Sequence, residues 1–68
     1  MIHIGSIIES ELKRQERSVA WLARKLYCDR STIYAIFKRQ SINTEVLLQI
    51  SRIMAVNFFK YYIDELNK

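Results

Sequence analysis

Ser18–Lys38, SVAWLARKLYCDRSTIYAIFK, carries two helical patterns separated by only three residues. In the first, Val19, Leu22, Ala23 and Leu26 recur at the spacing of an amphipathic helix, with Ser18 placed just before them as an N-cap. In the second, Ile33, Ile36 and Phe37 form another apolar stripe, while Arg30, Ser31, Tyr34, Ala35 and Lys38 fall together on the opposite face. Tyr27, Cys28 and Asp29 are all that remain for the connection. Two short helices joined so tightly, the second with an uncommitted polar face, form a helix-turn-helix pattern and point to DNA as the partner.

The charge pattern agrees. The chain of 68 residues has a net charge of +4. Residues 13–39 hold Lys13, Arg14, Arg17, Arg24, Lys25, Arg30, Lys38 and Arg39 against only Glu16 and Asp29. The first twelve residues are acidic through Glu9 and Glu11, and residues 40–68 carry as many acids as bases. The positive excess therefore coincides with the two-helix unit, the footprint expected of a nucleic-acid-binding surface rather than of an evenly solvated one.

With no proline and one glycine, the element boundaries must come from caps and shifts of apolar phase. A first helix is predicted from about Ile4 to Gln15, with Ile4, Ile7, Ile8 and Leu12 inward and Glu9 preceding Lys13 by four residues. Asp29 is placed to cap the third helix. After a loop over Gln40 to Asn43, Asn43 or Thr44 caps a fourth helix with Val46, Leu47, Ile50, Ile53 and Met54 on one side. Asn57 caps a fifth of about nine residues. No segment alternates as a strand, so residues 1–68 are expected to form a single all-α domain of five short helices.

The chain resembles the Cro/repressor-like family, the lambda-repressor type of helix-turn-helix domain, over most of its length. Leu22-Ala23 resembles the start of the signature, Ile33 the buried centre of the recognition helix and Ile36-Phe37 the closing apolar pair. Leu47, Ile50 and Met54 look like the core of the family's fourth helix, and Val56-Asn57 like the start of its fifth. Tyr27 stands where the family usually has Gly, and Val19 where it often has a phosphate-contacting Gln. The resemblance implies a central helix-turn-helix over about 18–38, with helix three entering the major groove.

On that reading Arg30, Ser31, Tyr34, Ala35 and Lys38 face the base edges. Arg30 can offer two donors to a guanine, Tyr34 a hydroxyl or its ring, and Ala35 leaves room for close approach. Phosphates are expected at the start of helix two, where the backbone N–H groups beside Ser18 and Val19 are free. Arg17, Arg39, Gln40 and Ser41 flank that site in the family arrangement. Thr32 serves the first turn of helix three and joins the phosphate-contacting group. Because the family's turn places a Gly at this position and the link from Leu26 to Asp29 is short, the resemblance implies a left-handed Tyr27, with its ring packed on neighbouring side chains to offset the strain.

Other chemistry finds little footing. His3 is the sole histidine and reads as a tail residue, Cys28 reads as a packing residue of the turn, and Glu9, Glu11 and Glu16 read as solvated helix surface. No catalytic constellation, metal ligand set, cofactor motif or glycine-rich phosphate loop is expected. No apolar run approaches the roughly 20 residues of a membrane span. The amino-terminal stretch MIHIGSIIESE lacks the basic-then-apolar order of a signal peptide, so the cytoplasm is the expected location.

A chain this short buries only about 60% of its unfolded surface, and one cysteine cannot staple it. Association with a second copy is the expected supplement. Trp21, Leu48 and the aromatic fifth helix, about 57–67, form an apolar surplus. Phe58, Phe59, Tyr62 and Leu66 are accordingly expected at a symmetric dimer interface. The function expected is a small dimeric transcriptional regulator, repressing by occupying an operator. The alternative is a helical protein-interaction module, of partner-binding or antitoxin-like kind, that uses Trp21 and helix five with little or no DNA readout.

Overall fold

The structure, a computed structural model, describes residues 1–68. Five α-helices follow one another: α1 (Ile4–Arg14), α2 (Val19–Leu26), α3 (Arg30–Phe37), α4 (Thr44–Met54) and α5 (Lys60–Leu66), with no strand between them. They pack into a body of 36 × 20 × 20 Å. The core is wholly apolar, with no buried charged or polar residue. Ile4, Ile8 and Leu12 come from α1, Leu22 and Ala23 from α2, Ile33, Ile36 and Phe37 from α3, and Leu47, Ile50 and Met54 from α4. Leu48 is half-buried on the other side of α4. Within this bundle α3 packs on both α1 and α2, and α2 also packs on α4.

Backbone meets backbone where α1 begins. The amides of Ile4 and Gly5 donate to the carbonyls of Gln40 and Arg39 at 3.1 and 3.0 Å. A helix leaves its first N–H groups and its last C=O groups without internal partners; here the start of one helix and the residues just beyond another satisfy each other. Such closeness requires Gly5. A Cβ there would lie 2.3 Å from the carbonyl oxygen of Ile36, 2.5 Å from that of Phe37 and 2.7 Å from that of Arg39. His3, expected as a tail residue, caps α1: its Nδ1 accepts the Ser6 N–H at 3.2 Å.

Three helices end on a left-handed residue that is not glycine: Glu16 (φ 58°), Tyr27 (φ 56°) and Ala55 (φ 56°). At each, two amides reach back over the last turn. Arg17 donates to Leu12 and Glu16 to Lys13; Cys28 to Ala23 and Tyr27 to Arg24; Val56 to Ser51 and Ala55 to Arg52. This paired pattern is the Schellman termination that normally favours glycine. The chain's single glycine lies instead where a side chain has no room.

α4 begins on Asn43, whose Oδ1 accepts the Glu45 and Val46 amides at 2.7 and 3.4 Å. The last helix departs from the sequence reading. Asn57 does accept an amide through its side chain, from Phe59 at 3.1 Å, but the next bonds span three residues and the α-helix begins only at Lys60. Phe58, expected at a dimer interface, is 0% exposed and belongs to the protein's own core. Its ring is the largest fully buried side chain and has no surface left for a second chain. Phe59 is likewise half-buried against the core, as is Tyr61. α5 itself buries no residue, leaving Tyr62, Ile63 and Leu66 outward.

Gly5→Ala forces a methyl group into three carbonyl oxygens and is expected to destabilise by about 1–3 kcal/mol or more. Denaturant unfolding at equilibrium measures this, and wild-type stability in the variant would contradict the close approach.

Candidate nucleic-acid interface

α3 is divided lengthwise. Ile33, Ile36 and Phe37 are buried, whereas Arg30, Ser31, Tyr34, Ala35 and Lys38 are all exposed, so the five expected base readers share an accessible face. Tyr34 is 52% exposed, yet its orientation is not free. Its ring meets that of Phe37 edge to face, with centroids 6.1 Å apart and planes at 88°. Such pairs contribute about 0.5–1.5 kcal/mol beyond burial, enough to favour one direction for a half-exposed tyrosine. Sequence reading assigned Phe37 only to the core and missed this second use.

Most of the positive charge of α2, α3 and the residues flanking them is unpaired. The ion pairs are Lys13–Glu9, Arg14–Glu11 and Lys68–Glu65. Arg17, Arg24, Lys25, Arg30, Lys38 and Arg39 are exposed, and none has a carboxylate within 4.0 Å.

The start of α2 is open in a defined way. Ser18 Oγ accepts the Trp21 amide at 3.0 Å, and the Val19 and Ala20 amides have no partner in the chain. Val19 is half-buried and brings no donor beyond its backbone. Arg17 lies over the ring of Trp21, 4.6 Å from its centroid. Trp21 therefore is not a free apolar surface: it packs against the core while the guanidinium lies on its ring. Arg39, Gln40 and Ser41 expose their side chains beyond α3. The α1 amides hold the Arg39 and Gln40 backbone in place. Thr32 is exposed beside Arg39 at a cleft lined by Leu26, Ile36, Ile42 and Val46, toward α4.

The turn has the expected register, with Tyr27 at φ 56° and ψ 46°. Its ring does not pack on neighbours as expected; the residue is 96% exposed. The strain therefore stands without offset from contact. Asp29 occupies the N-cap position of α3 with extended backbone, but its side chain makes no capping hydrogen bond. The Arg30 and Ser31 amides remain free as well. Partial burial, and secondarily the neighbouring Asp29 carboxylate, push the Cys28 thiol up from its ordinary value, which disfavours the reactive thiolate.

Away from this face, Glu11 is no simple solvated carboxylate. It accepts from Arg14 Nε at 3.0 and 2.9 Å and from Arg14 Nη2 at 2.5 Å. It also accepts from Gln15 Nε2 at 3.3 Å, and the same Gln15 nitrogen reaches the Met54 carbonyl at 2.9 Å. The ends of α1 and α4 are thereby tied together. The Arg14 hydrogen bonds hold the Glu11 carboxyl below its ordinary range. Nowhere do three or more His, Cys, Asp or Glu side chains gather as a metal site. No helix is long and apolar enough to cross a membrane. No protein-family model, curated protein or solved structure matches the chain.

Tyr27→Gly removes the left-handed strain and loses no packed ring, so stability is expected to rise by about 0.5–1 kcal/mol. Thermal unfolding checks it, and a loss of stability would mean that the tyrosine ring makes contacts in solution. Because the folded state depresses the Glu11 pKa, its contribution exists above the unfolded value and disappears as pH falls through the folded one. The stability gap between wild type and Glu11→Gln is expected at neutral pH and should close below about 4.5. A gap independent of pH would contradict the Arg14 contact.

Proposed function

We propose that the chain is a sequence-specific double-stranded DNA-binding protein, a lambda-repressor-like helix-turn-helix domain that acts as a small dimeric transcriptional regulator in the cytoplasm. The observation that carries this reading is the outward face of α3, which exposes Arg30, Ser31, Tyr34 and Lys38, together with Arg17 and Arg39 at the neighbouring helix ends, none of these cations having a carboxylate partner. In the major groove, Arg30 would supply paired donors to guanine, Tyr34 a hydroxyl directed by Phe37, and Lys38 a contact one turn further along. Backbone amides at the start of α2, with Arg17 and the Arg39–Ser41 segment, would fix register on phosphates without reading sequence.

Two copies would read two half-sites, as symmetric helix-turn-helix dimers do. The surface offered for pairing is Tyr62, Ile63 (53% exposed) and Leu66 (82% exposed) on α5. Repression follows from occupancy: a protein covering its site excludes other proteins from it. The same α5 surface supports a second reading, a protein-interaction module with weak DNA readout. Salt separates the two, since each neutralised phosphate gives a log–log slope of about −0.9.

Affinity for mixed-sequence duplex is expected to fall steeply with salt, and a flat response would favour the interaction module. On a selected site, Arg30→Ala and Tyr34→Ala should each cost about 1–3 kcal/mol while non-specific binding stays near wild type. Arg39→Ala should weaken both alike. Equal losses on specific and random DNA for all three would exclude α3 as the reader. Sedimentation should give a dimer that Leu66→Glu disrupts, and a monomer well above the DNA dissociation constant would contradict pairing through α5.

A further inference from the structure

We propose that Trp21 is a positioning residue for the phosphate backbone of duplex DNA, acting through Arg17. The proposal rests on the DNA-binding reading and deepens it. Arg17 stands between a left-handed Glu16 and the N-cap Ser18, and its own amide donates to the Leu12 carbonyl at 3.1 Å, so its backbone is fixed. A long arginine side chain would ordinarily lose much of its rotamer freedom on binding. Here the guanidinium already lies 4.6 Å from the Trp21 ring centroid. Attraction to the ring face leaves the N–H donors available to an anion.

The neighbouring side chains make this donor consequential. Val19 and Ala20 carry no polar side chain, and Ser18 Oγ already accepts the Trp21 amide. Arg17 is the cation at this end of α2, and neither Glu16 beside it nor any other carboxylate lies within 4.0 Å. Trp21 is itself anchored, its backbone by Ser18 and its side chain by the core. Together these make a rigid support that holds the cation in place before binding, the arrangement that lowers the ordering cost of a phosphate contact.

Binding of mixed-sequence duplex across a salt series tests this, with Arg17→Ala, Trp21→Leu, Trp21→Phe and the Arg17→Ala/Trp21→Leu double variant, each shown to be folded by its melting curve. Arg17→Ala should flatten the log–log slope by about 0.9 per chain. Trp21→Leu should weaken binding about two- to fivefold, the factor of an exposed cation–π contact, and Trp21→Phe should restore most of it. Without Arg17, Trp21→Leu should cost nothing more. Wild-type binding by Trp21→Leu, or a loss that persists when Arg17 is absent, overturns the proposal while leaving DNA binding intact. A wild-type protein with no salt-dependent binding overturns both. Trp21 is the sole tryptophan, so Arg17→Ala should increase acrylamide quenching of its fluorescence. Unchanged quenching overturns the stacking even if Trp21→Leu does not fold.

Discussion

Contact between the first turn of α1 and the carbonyls around the end of α3 ties the fold to the proposed DNA surface. Backbone oxygens of Ile36, Phe37 and Arg39 crowd the space that a side chain at position 5 would occupy, and the amides of Ile4 and Gly5 bond to Gln40 and Arg39. Because α3 is only eight residues long, its direction cannot come from its own hydrogen bonds. It comes from α1 behind it, from the buried Ala23 of α2 beside it, and from a turn of three residues. Every exposed side chain on α3 inherits its aim from those constraints.

Strain and closeness are distributed unusually. Left-handed residues end α1, α2 and α4, and all three are non-glycine, although each costs about 1–2 kcal/mol relative to an unstrained backbone. Schellman bonding at each end satisfies carbonyls that would otherwise be orphaned, and this holds the conformation in place. A close backbone approach admits no such compensation. A methyl group 2.3 Å from a carbonyl oxygen cannot be relieved by a hydrogen bond, so the one glycine is required at position 5.

Much of this was legible in the residue pattern. The i, i+3, i+4 spacing and the cap Ser18 mark α2, the spacing marks α4 with Asn43 or Thr44 as its cap and the structure selects Asn43, and the short link from Leu26 to Asp29 fits the left-handed Tyr27. What escaped the pattern depends on tertiary neighbours. A lone glycine inside a helical stretch reads as a weak point until the opposing carbonyls are known. His3 is not among the usual capping residues. In the ring cluster of Phe58, Phe59, Tyr61 and Tyr62 the hydroxyls mark only the two tyrosines, nothing separates Phe58 from Phe59, and only the fold assigns Phe58 to the core. The Arg17–Trp21 and Tyr34–Phe37 pairs each join an exposed residue to a buried or half-buried ring three or four positions on. That spacing was visible, but hydrophobic patterning had already assigned the rings to other purposes.

Mapping by nuclear magnetic resonance tests the central claim most directly: backbone amide shifts of the intact protein would be followed as a duplex containing a selected site is added. The account predicts that changes concentrate on Arg17–Ala20 and Arg30–Ser41, with the buried flank of α3 carried along and the α1–α3 seam intact. Shifts confined to α5, or no shifts at concentrations where duplex and protein should associate, would contradict it.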